Sequence, residues 1–299
     1  MRLLIIGAGG FLGGHVRRLA IRAGLDVVTA GRSALPGSPQ HRLADLAADG
    51  PDAIAAMLAE VAPDAVVNCA GAIAGPPAAL VAANIDGTYA LVTAMLRSTP
   101  ARLVHLGSAA EYGGGQAGVP VTEQAAARPA GMYGVTKLAG TRLAGTAAAA
   151  GLDAVVLRVF NPVGPGAPAA SLPGRVAAEL RRALAHGTEV RLGPLDAVRD
   201  YVDARDVADA VLAAVTAGSL PYPVLNVGSG RAVPVRAMVS GLVAASGCPA
   251  TVHEDAPGQP RSPDIPWQQA EISRVRCDLG WQPRRDLATS LADLWAATA

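Results

Sequence analysis

Lysine is almost missing from this 299-residue chain: 24 of its 25 basic side chains are arginine, and Lys137 stands alone. Aromatic residues are nearly as scarce at 3%, and the formal net charge is only +1, with no basic run. Neither the electrostatic footprint nor the stacking platform of a nucleic-acid binder is present, so no nucleic-acid partner is expected. Hydrophobic residues make up 51% and charged ones 16%, which excludes a disordered chain and fits one large or two modest domains. The three cysteines, Cys69, Cys248 and Cys277, are odd in number and widely spaced, with no CxxC. A reducing, cytoplasmic location is expected rather than a disulfide framework. His15, His41, His105, His186 and His253 form no HExxH and no paired spacing, so no metal site is expected. Without GxSxG or a P-loop, hydrolase chemistry is not expected either. The apolar run that opens the chain is too short for a signal peptide. The uncharged stretch 65–85 is broken by GPP and asparagine, which argues against a membrane span.

What is there is an alternation of short and long apolar segments. RLLIIG, LDVVTAG, DAVVNCAG, RLVHLGS, DAVVLRVFN and VLNVGSG read as strands. They lack polar alternation, so both faces are buried, and Ala/Leu-rich helical stretches separate them. That pattern is a doubly wound α/β fold with a parallel Rossmann sheet. After Asn161 the Pro/Gly-rich loop PVGPGAPAASLPG changes the texture, and helices follow around 175–185, in PVRAMVSGLVAASG and in LATSLADLWAATA. The expected division places 1–165 and 198–229 in a dinucleotide-binding domain. Residues 166–197 and 230–299 would form a smaller C-terminal substrate-binding domain.

Gly7, Gly10 and Gly13 follow the first strand directly and open a helix beginning near Phe11 and Leu12. Without side chains, that backbone can approach a pyrophosphate at the helix N-terminus. NAD-binding versions end the second strand with an acid; here Gly31 stands in that place, followed by Arg32 and Ser33. A guanidinium and a hydroxyl can bind the 2′-phosphate that a carboxylate would repel. NADP(H) is therefore expected in preference to NAD(H), the alternative being a solvated surface Arg32. Asp45 and Leu46 either flank the adenine or start a helix.

Tyr133 and Lys137 are four apart and would share one helix face. Two aligned charges about 4 Å apart interact by roughly 4 kcal/mol at an effective dielectric of about 20, which favours a phenolate beside an ammonium. Arginine supplies charge but not the compact head group. Ser108 ends the strand RLVHLGS, where its hydroxyl would face the ligand crevice, or it is a turn serine.

Taken together and in order, Gly7, Gly10 and Gly13, NCAG, Ser108 in GSAAEYG, Tyr133 with Lys137, LRVFNPVGPG, RDYVDARDVADA and LNVGSG resemble the extended short-chain dehydrogenase/reductase family. These are NAD(P)-dependent nucleotide-sugar epimerases, dehydratases and reductases, and the likeness runs over nearly the whole chain. The resemblance implies a proton donor or acceptor in Tyr133, a ribose-holding Lys137 and a Ser108 that hydrogen-bonds the substrate oxygen. It also implies cofactor contacts from Cys69, Ala70, Gly71, Asn84 and Phe160, and substrate contacts from Ala109, Asn161 and Arg175. Arg199 and Arg261 would clamp a substrate diphosphate, with ion pairs to Asp200 or Asp264 as the alternative. Asp206 is expected to cap the helix VADAVLAAV, and a homodimer through paired cofactor-domain helices is expected. Dehydratases of this type carry an acidic pair where Ala109 and Ala110 stand, and Glu111 is one residue too far, so dehydration is not expected. The favoured expectation is NADPH-dependent reduction of a nucleotide-linked 4-keto-6-deoxy sugar, with a 4-epimerase using the same residues as the alternative. A dinucleotide-binding regulator and a reductase of small lipophilic carbonyls are further readings.

Overall fold

The apolar runs become the interior of one parallel sheet. The computed structural model describes residues 1–98, 100–221, 223–249, 251–256 and 265–297. Strands β1 (Arg2–Ile6), β2 (Asp26–Gly31), β3 (His41–Leu43), β4 (Ala65–Asn68), β5 (Arg102–Ser108), β6 (Ala154–Val159) and, after four two-residue strands, β11 (Val224–Val227) pair in the order β11-β6-β5-β4-β1-β2-β3. Every pairing is parallel. The order reverses between β1 and β4, the switch point at which ligands bind doubly wound sheets. The register, with Ile6 opposite Asn68, Asn68 opposite His105 and Ser108 opposite Val159, brings the loops after β1, β4, β5 and β6 to one edge.

Side chains alternate across the strands, so each sheet face has its own core. Leu3, Ile5 and Val67 pack with α1 (Phe11–Arg22) and α7 (Ala204–Thr216). Leu4, Ile6 and Val66 pack with α2 (Leu46–Val61), α4 (Gly87–Ser98) and α5 (Met132–Ala149). Between β4 and α4, the short α3 (Pro77–Val81) runs into a π-helical turn, Ala82–Asp86. By length and composition alone the run Pro77–Ser98 could cross a membrane; in the fold half of it is buried.

A third apolar cluster joins α6 (Leu172–His186), α8 (Val235–Ser246) and α10 (Leu287–Ala297) over the carboxyl edge of the sheet. Three short ladders frame it: β7 (Pro162–Val163) with β10 (Val202–Asp203), β8 (Val190–Arg191) with β13 (Val252–His253), and β9 (Val198–Arg199) with β12 (Val233–Pro234). Near α9 (Ser273–Leu279), Ile272, Val275 and Trp281 pack into the sheet-side core, and the Trp281 Nε1–H donates to the Asp206 carbonyl at 2.9 Å.

The expected cap of α7 moves. Asp203 is the N-cap, accepting from the Arg205 N–H at 2.7 Å and from the Ser290 hydroxyl of α10 at 2.6 Å. Asp206 lies a turn later, fully buried, and accepts from the Arg284 and Arg285 N–H groups at 3.0 Å each and from the Arg285 guanidinium. One carboxylate thus binds the segment between α9 and α10 to α7. Asp206→Ala strands two backbone donors and an arginine, and is expected to cost about 3–5 kcal/mol of stability. Thermal unfolding should show a fall of several degrees in Tm.

Candidate active site

The glycines after β1 are set by contact. Gly7 has φ +79°, and a Cβ there would lie 2.7 Å from Ala70 N and 2.8 Å from Cys69 C. A Cβ on Gly13 would overlap the Gly7 carbonyl, so α1 sits directly against the turn. Gly10 is the N-cap of α1 and no side chain caps that end. Its open N–H groups and positive dipole end face a cavity of about 1220 Å³, lined there by Gly10, Phe11 and Leu12.

On the neighbouring strand, Cys69 and Gly71 line the same cavity. The loop that carries them is held by Asn84 in the π-helical turn. Its side-chain amide donates to the Ala72 carbonyl at 2.9 Å and to Thr136 Oγ1 at 3.0 Å, and its oxygen accepts from Ala72 N at 3.0 Å. Both amide hydrogens are therefore used within the protein. Asn84 braces the loop against α5 rather than reaching a cofactor, a use of a π turn close to a functional site.

At the end of β5, Gly107, Ser108, Ala109 and Ala110 form the adjoining wall. Ser108 Oγ accepts from the Ala110 N–H at 3.2 Å, which leaves its O–H free to donate into the cavity. Tyr133, in the first turn of α5, lines the same cavity. Lys137, one turn on and 7% exposed, donates to the Leu106 carbonyl at 2.5 Å. Its ammonium sits among groups that burial keeps neutral. The Cys69 thiol is pushed up to about 12 by burial, with Lys137 pulling the other way. Burial, and then Lys137, hold His105 well below the usual imidazole range.

The remaining wall carries Asn161, Arg199 and Tyr201 together with Arg175, Leu195 and Gln268. Asn161 donates to the Asp200 carbonyl at 2.9 Å. Arg199 makes no ion pair with Asp200. The Asp200 carboxylate faces away and accepts from Ser229, Gly230 and Ala270. Arg199 has no carboxylate partner among the described residues, and burial lowers its pKa. Arg261 and its alternative partner Asp264 lie outside the described residues.

Other expected contact residues lie outside the cavity lining. The Phe160 side chain is 0% exposed and tilted against the Tyr112 ring. Leu46 is the first residue of α2, with its side chain in the core. Asp45 is the N-cap of that helix, accepting from Ala47 and Ala48, so the helix-start alternative holds for both. Ala70 packs against the second core and does not line the cavity. Arg32 and Ser33 follow β2, exposed, with the Ser33 carbonyl accepting from His41.

Sequence reasoning missed Gln268, whose amide donates to the Ala109 carbonyl at 2.8 Å and to the Gly113 carbonyl at 3.0 Å. Nothing in its local sequence marks it. It also left Glu111 without a task. That side chain is fully buried and accepts from Ser108 N, Thr141 Oγ1 and Arg158 Nε. Among the described residues no group of three His, Cys, Asp or Glu could hold a metal.

A glycine turn on a helix N-terminus, a Ser, Tyr and Lys set at the switch point and a second unit over the crevice have a known counterpart. The family model described as NAD dependent epimerase/dehydratase family matches residues 3–228. The chain belongs to this family. It is 38% identical to dTDP-6-deoxy-L-talose 4-dehydrogenase (NAD(P)(+)) of Kitasatospora kifunensis, over 99% of this chain and 95% of that one. It is 32% identical to UDP-glucose 4-epimerase of Azospirillum brasilense, over 95% and 88%. Among solved structures, MoeE5 in complex with UDP-glucose and NAD superposes with a TM-score of 0.86 at 29% identity, covering 100% of this chain and 98% of that one. The cradle fits the family's dinucleotide: the uncapped start of α1 at Gly10 lines the cavity, and Gly7 and Gly13 let the turn pack directly against the loop after β4 and against α1. Gly7→Ala combines a strained φ, costing about 1–3 kcal/mol, with overlap onto the loop after β4. It is expected to lower NAD(P) affinity at least about tenfold by calorimetric titration.

Proposed function

We propose that this protein reduces the 4-keto group of a nucleotide-linked 4-keto-6-deoxy sugar with NADPH. The observation that carries the reading is the wall at the end of β5. It brings Ser108 into the cavity that Tyr133 also lines, with Ala109 and Ala110 where a dehydratase needs acids and Glu111 turned inward. The Kitasatospora relative supports it, since its name places oxidoreduction at C4 of a 6-deoxy sugar nucleotide. Bound in the cradle, the nicotinamide supplies hydride chemistry.

The chain's own residues do the rest. Ser108 donates a hydrogen bond to the carbonyl oxygen, and Tyr133 gives that oxygen its proton. Lys137 stays charged behind them, holding the ribose and favouring the phenolate once the proton has left. Arg199 and Arg175, with Arg261, bind the diphosphate, and Arg32 with Ser33 binds the 2′-phosphate of NADPH. In this reading 1–165 with 198–229 hold the cofactor, and 166–197 with 230–299 supply the substrate-binding unit. Exposed Tyr89, Leu96 and Val135 on α4 and α5 suit a homodimer through those helices. Free Cys69, Cys248 and Cys277 suit a reducing cytoplasm.

A 4-epimerase remains the second reading, supported by the Azospirillum relative. The two separate on cofactor balance: incubation with sugar nucleotides should consume NADPH in proportion to product, whereas turnover without net NADPH loss would establish epimerisation. Tyr133→Phe is expected to lower kcat by about 10²- to 10⁴-fold with KM little changed. Arg32→Ala should reduce the preference for NADPH over NADH by roughly tenfold, one charge-assisted contact.

A further inference from the structure

We infer that Glu111 and Thr141 form a positioning clamp that fixes Ser108 relative to the helix carrying Tyr133 and Lys137. The inference rests on the reading that Ser108 and Tyr133 meet the substrate oxygen. Glu111 is 0% exposed and does not line the cavity. Its Oε1 accepts from the Ser108 backbone N–H at 2.8 Å and from Thr141 Oγ1 at 2.9 Å. Thr141 lies one turn beyond Lys137 on α5. A single carboxylate oxygen is thus shared by the strand end that bears the serine and the helix that bears the other two groups.

The remaining contacts keep that oxygen in place. Oε2 accepts from Arg158 Nε at 2.7 Å. The Arg158 guanidinium lies 4.5 Å from the centre of the Tyr112 ring, and the Tyr112 hydroxyl donates to Asn226 at 2.7 Å. A Cβ on Gly107 would lie 2.7 Å from Oε1, so the residue before the serine leaves the room the carboxylate occupies. Charged hydrogen bonds in a dry interior tolerate little displacement. A misplacement of about 1 Å between reacting groups can cost about 10²-fold in rate. The clamp gives the acid of GSAAEYG a role that proton transfer does not.

Glu111→Gln leaves Arg158 buried against a neutral partner, so the primary variant is Thr141→Val, which removes one hydrogen bond and keeps the ion pair. It is expected to lower kcat by about tenfold while leaving the NADPH Kd within about twofold. In a Ser108→Ala background the same change should have less than about a twofold effect, because the group it positions is gone. An equal loss in both backgrounds would overturn the clamp. Absence of turnover by the wild type with every keto-sugar nucleotide would defeat the reaction assigned above without touching the clamp. Hydrogen exchange then decides. The Ser108 amide should exchange about tenfold faster in Thr141→Val and Glu111→Gln than in wild type, and unchanged exchange in both overturns the proposal.

Discussion

One buried ammonium, bonded to the carbonyl of Leu106, ties α5 to the end of β5. The Cys69 thiol and the His105 imidazole near it are pushed toward their neutral forms, chiefly by burial. Arginine is a poor substitute there: its planar fork carries five donors, each of which would need an acceptor once buried. The one retained lysine of an arginine-rich chain is explained by where it is buried.

The architecture delivers the other groups to the same place. Parallel strands end on one edge, so residues far apart in sequence, Gly10, Cys69, Ser108 and Asn161, surround one cavity. None of these loops needs its own core, because the strands beneath supply it on both faces. The rest of the lining is of mixed character: Leu195 and Tyr201 with the cationic Arg175 and Arg199.

Much of this was legible in the sequence, for definable reasons. Six strands could be read because buried parallel strands are continuous apolar runs, and the glycines because their spacing reports backbone proximity. Tyr133 and Lys137 could be read from helical spacing alone. What could not be read depends on partners distant in sequence. Phe160 and Leu46 look like pocket residues but lie in the core, since local sequence does not say which way a strand end or helix start faces. The cap of α7 fell on Asp203 instead of Asp206 because the segment after α9, nearly 80 residues later, claims the second carboxylate. The burial of Glu111 required Arg158 and Thr141, neither of which forms a motif with it.

Adjacent residues of opposite charge, Arg199 and Asp200, usually neutralise each other. Here the acid is saturated by two segments, Ser229 with Gly230 and Ala270, and the guanidinium is left lining the cavity. The cost of separating them is met once, during folding. An anionic guest arriving at the crevice meets a cation already stripped of its counter-charge, so the encounter calls for little rearrangement of the host.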